Sequence, residues 1–496
     1  MSHVDIKTSI ARTVGQLHLC LVALIAFFGV LWGVSDGNNE VFLNETMPIG
    51  TLLTLCYFAI RMVKAHPVLI WSPLPWFMIA CAAYCGIGPL AYHYGNEATI
   101  ASCDGYYMIS ESELVRSNFL NLIGIASVMA GVYLGVRVFV KNRAVPSTRW
   151  SAPDLAHLGR LAVFFLVVGV LVKYALVLPY EFGMLGFVLP GSVGTLQYFT
   201  LFAMAVLMLL VHQGDAKWRP VLCILVASEF VTAILVFSKM SVMIFFVVLL
   251  LGRVLIAKRL RPILVGSLLI AITFAAVAPL VSHGRASLIE STGTHYKAGL
   301  GTRFDIVRAY LTSGGDTGDY APSQLGWARL NYANAQAFAM NSFDAGVPGG
   351  SFSLVFYALV PRFLWPDKPI MTMGREFNYL VNGNLESSSA PGLFGEGYWN
   401  GGWLAVVLSS LFVGFVLASF TEYSMWAIAN RNLLYLPIVF AGIKMGFRPD
   451  DWFVATYVGA TVTAVCMHFV LRCLSVFLGA PVGWSDESEP RGMVTT

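Results

Sequence analysis

The chain has 496 residues, of which 57% are hydrophobic and only 12% are charged, with a formal net charge of +4. An ordinary soluble domain carries about 25% charged residues, and a soluble fold of this size still has a large polar shell to fill. These figures exclude a soluble multidomain enzyme, a disordered chain and a nucleic-acid binder that works by charge, and they make lipid the main solvent.

A membrane-spanning helix needs about 20 apolar residues. The first apolar run, Gln16 to Val34, is long enough, and no small-residue cleavage site follows it, so it reads as a first helix and not a signal peptide. Further runs lie near 47–63, 67–92, 113–138, 160–180, 191–212, 219–237, 240–257 and 262–282. After a long interruption come 403–420, 432–447 and 452–478. The fold expected is an all-α polytopic membrane protein of about twelve spans. Its parts would be a membrane domain over 1–282 with nine spans, a loop over 283–402, three more spans over 403–480, and a disordered tail over 481–496. Seven of the eight cysteines lie in apolar runs and only Cys103 in a polar loop, so no disulfide framework is expected. Cys81 and Cys85, one helical turn apart, read as packing.

Orientation follows from Lys and Arg in the short loops. One set of loops holds Lys7, Arg12, Arg61, Lys64, Lys141, Arg143, Arg149, Lys217, Arg219, Lys258, Arg259, Arg261 and Arg431. The alternate loops hold Asp36, Glu40, Glu45, Glu97, Asp104, Glu111 and Glu113 with almost no cations. Both termini are therefore expected in the cytoplasm and 283–402 outside. No internal repeat is visible, and the long segment has no earlier counterpart, which argues against an inverted-repeat carrier.

A loop of this length in a compact membrane protein is usually functional. Helix-like pieces are expected at Thr302–Thr312, Ser323–Phe343, Phe352–Phe363 and Thr372–Val381. Phe352–Leu359 is too short to span and suits a helix that dips into or lies on the bilayer. The loop carries Arg285, Arg303, Arg308, Arg329, Arg362 and Arg375 against only Lys297 and Lys368. Arginine has the planar fork that suits phosphates; solvated surface charge is the plainer alternative. Trp327, Trp365, Trp399 and Tyr398 are candidates for sugar stacking, or for an interfacial aromatic belt.

Outside the loop, Lys239 sits alone in the short outer turn after Phe237-Ser238. Lys444 and Arg448, four apart, share one helix face, and ionisable groups at such depth are functional candidates. Pairing of Arg448 with Asp450 and Asp451 is the competing account. Lys173 and Glu229 reach similar depth in spans five and seven and are expected to pair structurally.

Two stretches carry a family resemblance: Leu359-Val360-Pro361-Arg362-Phe363-Leu364-Trp365-Pro366-Asp367-Lys368-Pro369, and Pro391-Gly392-Leu393-Phe394-Gly395-Glu396-Gly397-Tyr398-Trp399-Asn400-Gly401-Gly402. They resemble elements in the main periplasmic loop of the Wzy-type O-antigen polymerases, which join oligosaccharide repeat units at the bacterial inner membrane. One departure is plain: eleven residues separate Arg362 from Gly374, so no role is carried over from the spacing of ten found in some members.

The resemblance implies a GT-C-like glycosyltransferase without metal or cofactor. A growing glycan on undecaprenyl diphosphate would be transferred in the periplasm to a lipid-linked repeat unit, and a chain-length regulator is an implied partner. Preorganised cations aimed at the leaving diphosphate suit that chemistry. Arg362, Arg448 and Lys239 are the first candidates, with Arg285, Arg303, Arg375, Lys368 and Lys444 as diphosphate ligands. Glu396, between two glycines, is the candidate general base, or a structural carboxylate that closes the loop; His295 is a weaker base candidate. A related lipid-linked glycan ligase, a lipid-monophosphate-sugar transferase and an exporter without chemistry are the alternatives.

Overall fold

A computed structural model describes residues 6–34, 39–104, 107–141, 152–186, 189, 191–256, 260–292, 298–312, 327–360, 365, 368, 372–383, 385 and 388–477. Among them every regular element is a helix. The main helices are α1 (Ile6–Val34), α2 (Glu40–Ala65), α3 (Pro73–Cys81), α4 (Glu111–Phe139) and α5 (Ala152–Val172). Then come α6 (Phe199–His212), α7 (Arg219–Leu235), α8 (Lys239–Ile256), α9 (Leu260–Thr292) and α10 (Leu300–Thr312). Last are α11 (Ala333–Asp344), α12 (Met373–Asn382), α13 (Gly392–Ala429), α14 (Leu436–Gly446) and α15 (Ala460–Phe477).

Among the described residues, eight helical stretches are long and apolar enough to cross a bilayer: α1, α2, α4, Leu155–Glu181, Val193–His212, Ala216–Leu235, α13 and Val454–Val476. The chain is thus a multi-pass membrane protein. Pro73–Ile87 and Leu433–Gly446 are apolar but shorter. The two remaining apolar runs are helical as α8 and α9. Local sequence sets several boundaries. Ser110 caps α4 in a capping box with Glu113. Pro220 and Pro437 occupy first turns, where a missing N–H costs nothing.

The centre of the fold is the crossing of α4 and α13. A Cβ added at Gly414 would stand 2.2 Å from Val128 O and 2.7 Å from Gly131 Cα, so the two backbones touch. Small residues permit such an approach where lipid supplies no hydrophobic drive. Helix α11 lies against both. Ser117 Oγ donates to Gln336 Oε1 at 2.6 Å, and Gln336 Nε2 donates to Asn121 Oδ1 at 2.9 Å. Asn118 Nδ2 extends this seam to Asn44 Oδ1 in α2, at 3.2 Å. Buried amides joined in this way hold one specific arrangement.

On the other side, α5 to α8 pack through aromatic rings. Phe165 meets Phe199 with ring centroids 5.3 Å apart, and Phe202 meets Phe440 of α14 at 5.5 Å. A small core of Phe237, Val281, Leu288 and Ala298 ties α9 to the turn between α7 and α8.

Two expectations change. Of the helix expected over Ser323–Phe343, Trp327 and Ala328 are helical, a turn interrupts it at 329–330, and regular helix runs from Ala333. The Pro391–Gly402 motif, expected as loop leading into a span, is already helix α13 to Asn400. Gly401 and Gly402 break it; Gly402 has φ 60° and ψ −155°, a region that favours glycine. The chain folds back there, so that a Cβ on Gly397 would lie 3.1 Å from Val406 Cα. The tail over 481–496 lies outside the described residues.

Candidate functional site

The sequence candidates separate into two places. The first surrounds Glu396. Its side chain is fully buried. Oε1 accepts from Ser351 Oγ at 2.6 Å and Oε2 accepts from the backbone N–H of Phe453. Asn400 Nδ2 donates to the same Ser351 oxygen at 2.8 Å. Glu396 therefore fastens the turn at Ser351 to α13 and to the segment after α14. These contacts match the structural alternative offered for Glu396, a carboxylate that closes the loop, and they occupy both of its oxygens. The flanking glycine does not open room for a ligand either: a Cβ on Gly395 would stand 3.1 Å from Gln336 Cγ of α11.

Beside it lies Arg448. Its Nε is 3.3 Å from Asp450 Oδ1, and a terminal nitrogen is 2.9 Å from Asp451 Oδ2. The pairing account of the sequence is what the geometry displays, yet about a quarter of the Arg448 side chain remains exposed (27%). Tyr332 Oη donates to Asp450 Oδ2 at 3.3 Å, and Tyr84 meets the Tyr332 ring edge-on. Burial pushes the Asp450 carboxyl up from its usual value, against the pull of Arg448. Burial works against the Arg448 charge, but Asp451 and Asp450 outweigh it and hold the guanidinium pKa above its ordinary value.

The second place is a cavity of about 350 Å3 enclosed by α5 with its extension to Glu181, α6, α7, the turn at 236–238, α8 and α9. Its polar wall carries Lys173, Glu181, Gln197, Tyr198, Glu229 and Arg285. Lys173 Nζ and Glu229 Oε2 are 2.8 Å apart, the pair expected from their depths. Arg285 Nε donates to Phe237 O at 2.7 Å, which brings its guanidinium to the cavity from α9. Lys444 stands 5.6 Å from the centroid of the Tyr198 ring, so α14 carries a cation to the cavity's edge one helical turn before Arg448.

The other expected ligands scatter. Arg303 is fully buried, and its guanidinium donates to Ala298 O, Leu235 O and Glu181 O at 3.1, 2.8 and 3.1 Å. It neutralises the carbonyl ends of α7 and of the α5 extension, a structural role for a residue expected among the diphosphate ligands. Burial lowers its pKa, and Glu181 opposes that shift. Arg375 is exposed on the face of α12 opposite buried Phe377. Lys368 Nζ donates to Val360 O at 3.0 Å. Lys239 opens α8, but its side chain lies outside the described residues, as do Arg362 and His295.

Two of the four aromatics are core residues. Tyr398 is 5% exposed and donates to Asp344, which also pairs with Arg116. Trp399 is 6% exposed and donates to Val347 O. Neither offers a ring face to a sugar. Trp327 is half-buried and donates to Ile87 O at 2.8 Å. Trp365 is exposed and stacks on Tyr357 at 5.5 Å, so it remains available for stacking.

Sequence reading missed Glu181, Gln197 and Tyr198. Glu181 carried a usable signal: an acid closing an apolar run whose nearest cation, Lys173, lies eight residues earlier. Among the described residues no group of three His, Cys, Asp or Glu is arranged to hold a metal ion. No family model, curated protein or solved structure matches this chain.

Proposed function

We propose that this chain is a polymerase of lipid-linked oligosaccharide repeat units, acting as a glycosyltransferase on undecaprenyl-diphosphate-linked glycans. In this reading twelve spans form a GT-C-like membrane body in the bacterial inner membrane. Both termini are cytoplasmic and 283–402 is periplasmic, as the loop charges imply.

One observation carries the reading: the cavity of about 350 Å3 among apolar helices has both cations and carboxylates on its wall. Ligand sites of this size combine an apolar lining with a few converging polar groups. Here the polar groups match one chemistry. A diphosphate leaving group gains charge in the transition state, and fixed cations in a dry site stabilise it far more than they would in water. Arg285 faces the cavity, while Lys444 and Arg448 line up along the adjoining edge. In this reading the undecaprenyl chain stays in lipid, and exposed Trp365 is the ring offered to the glycan.

The test uses the purified full chain in vesicles with undecaprenyl-diphosphate-linked repeat units. The expected result is a ladder of longer glycans on lipid without added metal. Unchanged substrate moved across the vesicle membrane would replace this reading with that of an exporter.

A further inference from the structure

Glu229 holds an oxygen that the fold leaves without a protein partner. Oε2 is taken by Lys173, but Oε1 is buried with no hydrogen bond. The residue is only 4% exposed and lines the cavity. A purely structural ion pair would not explain this. Leaving a buried charged acceptor unsatisfied is costly, and buried pairs are tolerated when their remaining lone pairs are met. Here the unmet oxygen belongs to a side chain facing a space large enough for a sugar ring and a phosphate. Lys173 holds Oε2 at 2.8 Å and so fixes the orientation of the carboxylate. The other charged and titratable groups lining the cavity are Glu181, Tyr198 and Arg285, with Tyr174 adjoining Glu229.

We infer that Glu229 is the general base of the transfer, accepting on Oε1 the proton of the acceptor sugar's hydroxyl, with Lys173 as its positioning residue. The inference rests on the polymerase reading and replaces Glu396 in that role. The acceptor O–H bond breaks and its proton passes to Glu229 Oε1. The freed oxygen pair forms a bond to the anomeric carbon of the donor. The carbon–oxygen bond to the diphosphate breaks, and its electron pair leaves with the lipid diphosphate toward Arg285. The proton on Glu229 is then released to solvent.

The test compares wild type with Glu229→Gln in vesicles, scoring chain lengthening and retention of the lipid-linked repeat unit separately. A general base contributes about 100- to 10,000-fold, so the kcat of Glu229→Gln should fall by at least about 100-fold while substrate retention stays within a few-fold. A variant that lengthens chains at the wild-type rate overturns the inference and leaves the polymerase reading standing. A wild type that lengthens nothing removes both. Loss in Glu181→Gln with full activity in Glu229→Gln assigns the proton to Glu181 and overturns it too. Should Glu229→Gln fail to fold, Glu229→Asp decides, because it keeps the charge opposite Lys173 while withdrawing the free oxygen. Its turnover should drop at least about tenfold with retention unchanged, and a full rate overturns the inference. Lys173→Arg should restore most of the turnover that Lys173→Gln loses, without change in KM. Equal turnover in the two variants removes Lys173 from the positioning role.

Discussion

Ser351 Oγ donates to Glu396 Oε1 at 2.6 Å, joining a turn of the 283–402 segment to a helix 45 residues further on. The backbone N–H of Phe453 takes the second oxygen. Three separate parts of the chain thus end on one buried carboxylate. Replacing it with alanine strands a hydroxyl and a backbone N–H, each at a cost of about 1–3 kcal/mol. Glutamine keeps the shape: its carbonyl can accept from Phe453 and its amide can donate to Ser351. Glu396→Ala should therefore lower the thermal midpoint strongly, while Glu396→Gln keeps at least about a third of the wild-type chain-lengthening rate. A general base lost to glutamine would cost about 100-fold or more, so a collapse of rate in a well-folded Glu396→Gln would return the catalytic role to this residue.

Arg303 spreads its guanidinium over three carbonyls from three segments. Arg303→Met should destabilise the folded protein by on the order of 3 kcal/mol, since hydrogen bonds to charged groups contribute most among their kind. Arg303→Lys should rescue little, because a point charge on a flexible stem cannot reproduce a planar fork. Unfolding in detergent measures both, and equal stability of the lysine variant would refute the forked role. Retention of a lipid diphosphate by residual folded protein should be unchanged.

Arg303 and the Lys173–Glu229 pair differ in how far the sequence could convey their contacts. Apolar runs are a local property, and each of the twelve coincides with a helix among the described residues. The meeting of Lys173 with Glu229 was legible because depth can be counted from span ends. The burial of Arg303 was not, because nothing near it in sequence names the carbonyls of Glu181 and Leu235 as its partners. Arg116 and Asp344 pair across 228 residues for a similar reason: which helices are neighbours is not encoded in any one of them. The Pro391–Gly402 motif misled in a third way. It was placed in the loop over 283–402, whereas it is helical and its glycines permit tight contact with α11 and with the second half of α13.

Asp450 offers a pH test. Its folded pKa is raised by burial, with Arg448 pulling the other way. Above that raised value the carboxylate is charged in both the folded and the unfolded chain, and the cost of burying its charge is present in full. As pH falls through the raised value, the folded protein binds a proton that the unfolded chain still lacks. The cost is relieved until pH reaches the ordinary value of 3.8. Asp450→Asn removes this titration, and Asp451 remains to pair with Arg448. The stability difference between variant and wild type should therefore favour the variant near neutral pH and shrink on acidification. A difference that stays flat from pH 7 to pH 4 would contradict it.

Gly131 and Gly414 mark the closest approach of α4 and α13, and their replacement tests what holds the fold together. A Cβ at Gly131 would stand 2.2 Å from Leu411 O, and one at Gly414 an equal distance from Val128 O. Both obstacles are backbone, so neither can swing aside, and the helices must separate. Overpacking costs about 1–3 kcal/mol and more where backbone has to move. Each single alanine variant should fall at or above that range in detergent unfolding. The two share one crossing, so the double variant should cost clearly less than the sum: once the first methyl has parted the helices, the second finds room. Gly33 of α1 is the control, since a Cβ there meets nothing within 4 Å. Gly33→Ala should be neutral or stabilising by up to about 1 kcal/mol through helix propensity alone. Strict additivity at Gly131 and Gly414 would mean that the two glycines act at separate contacts, and the close crossing would then not be the joint that the geometry describes.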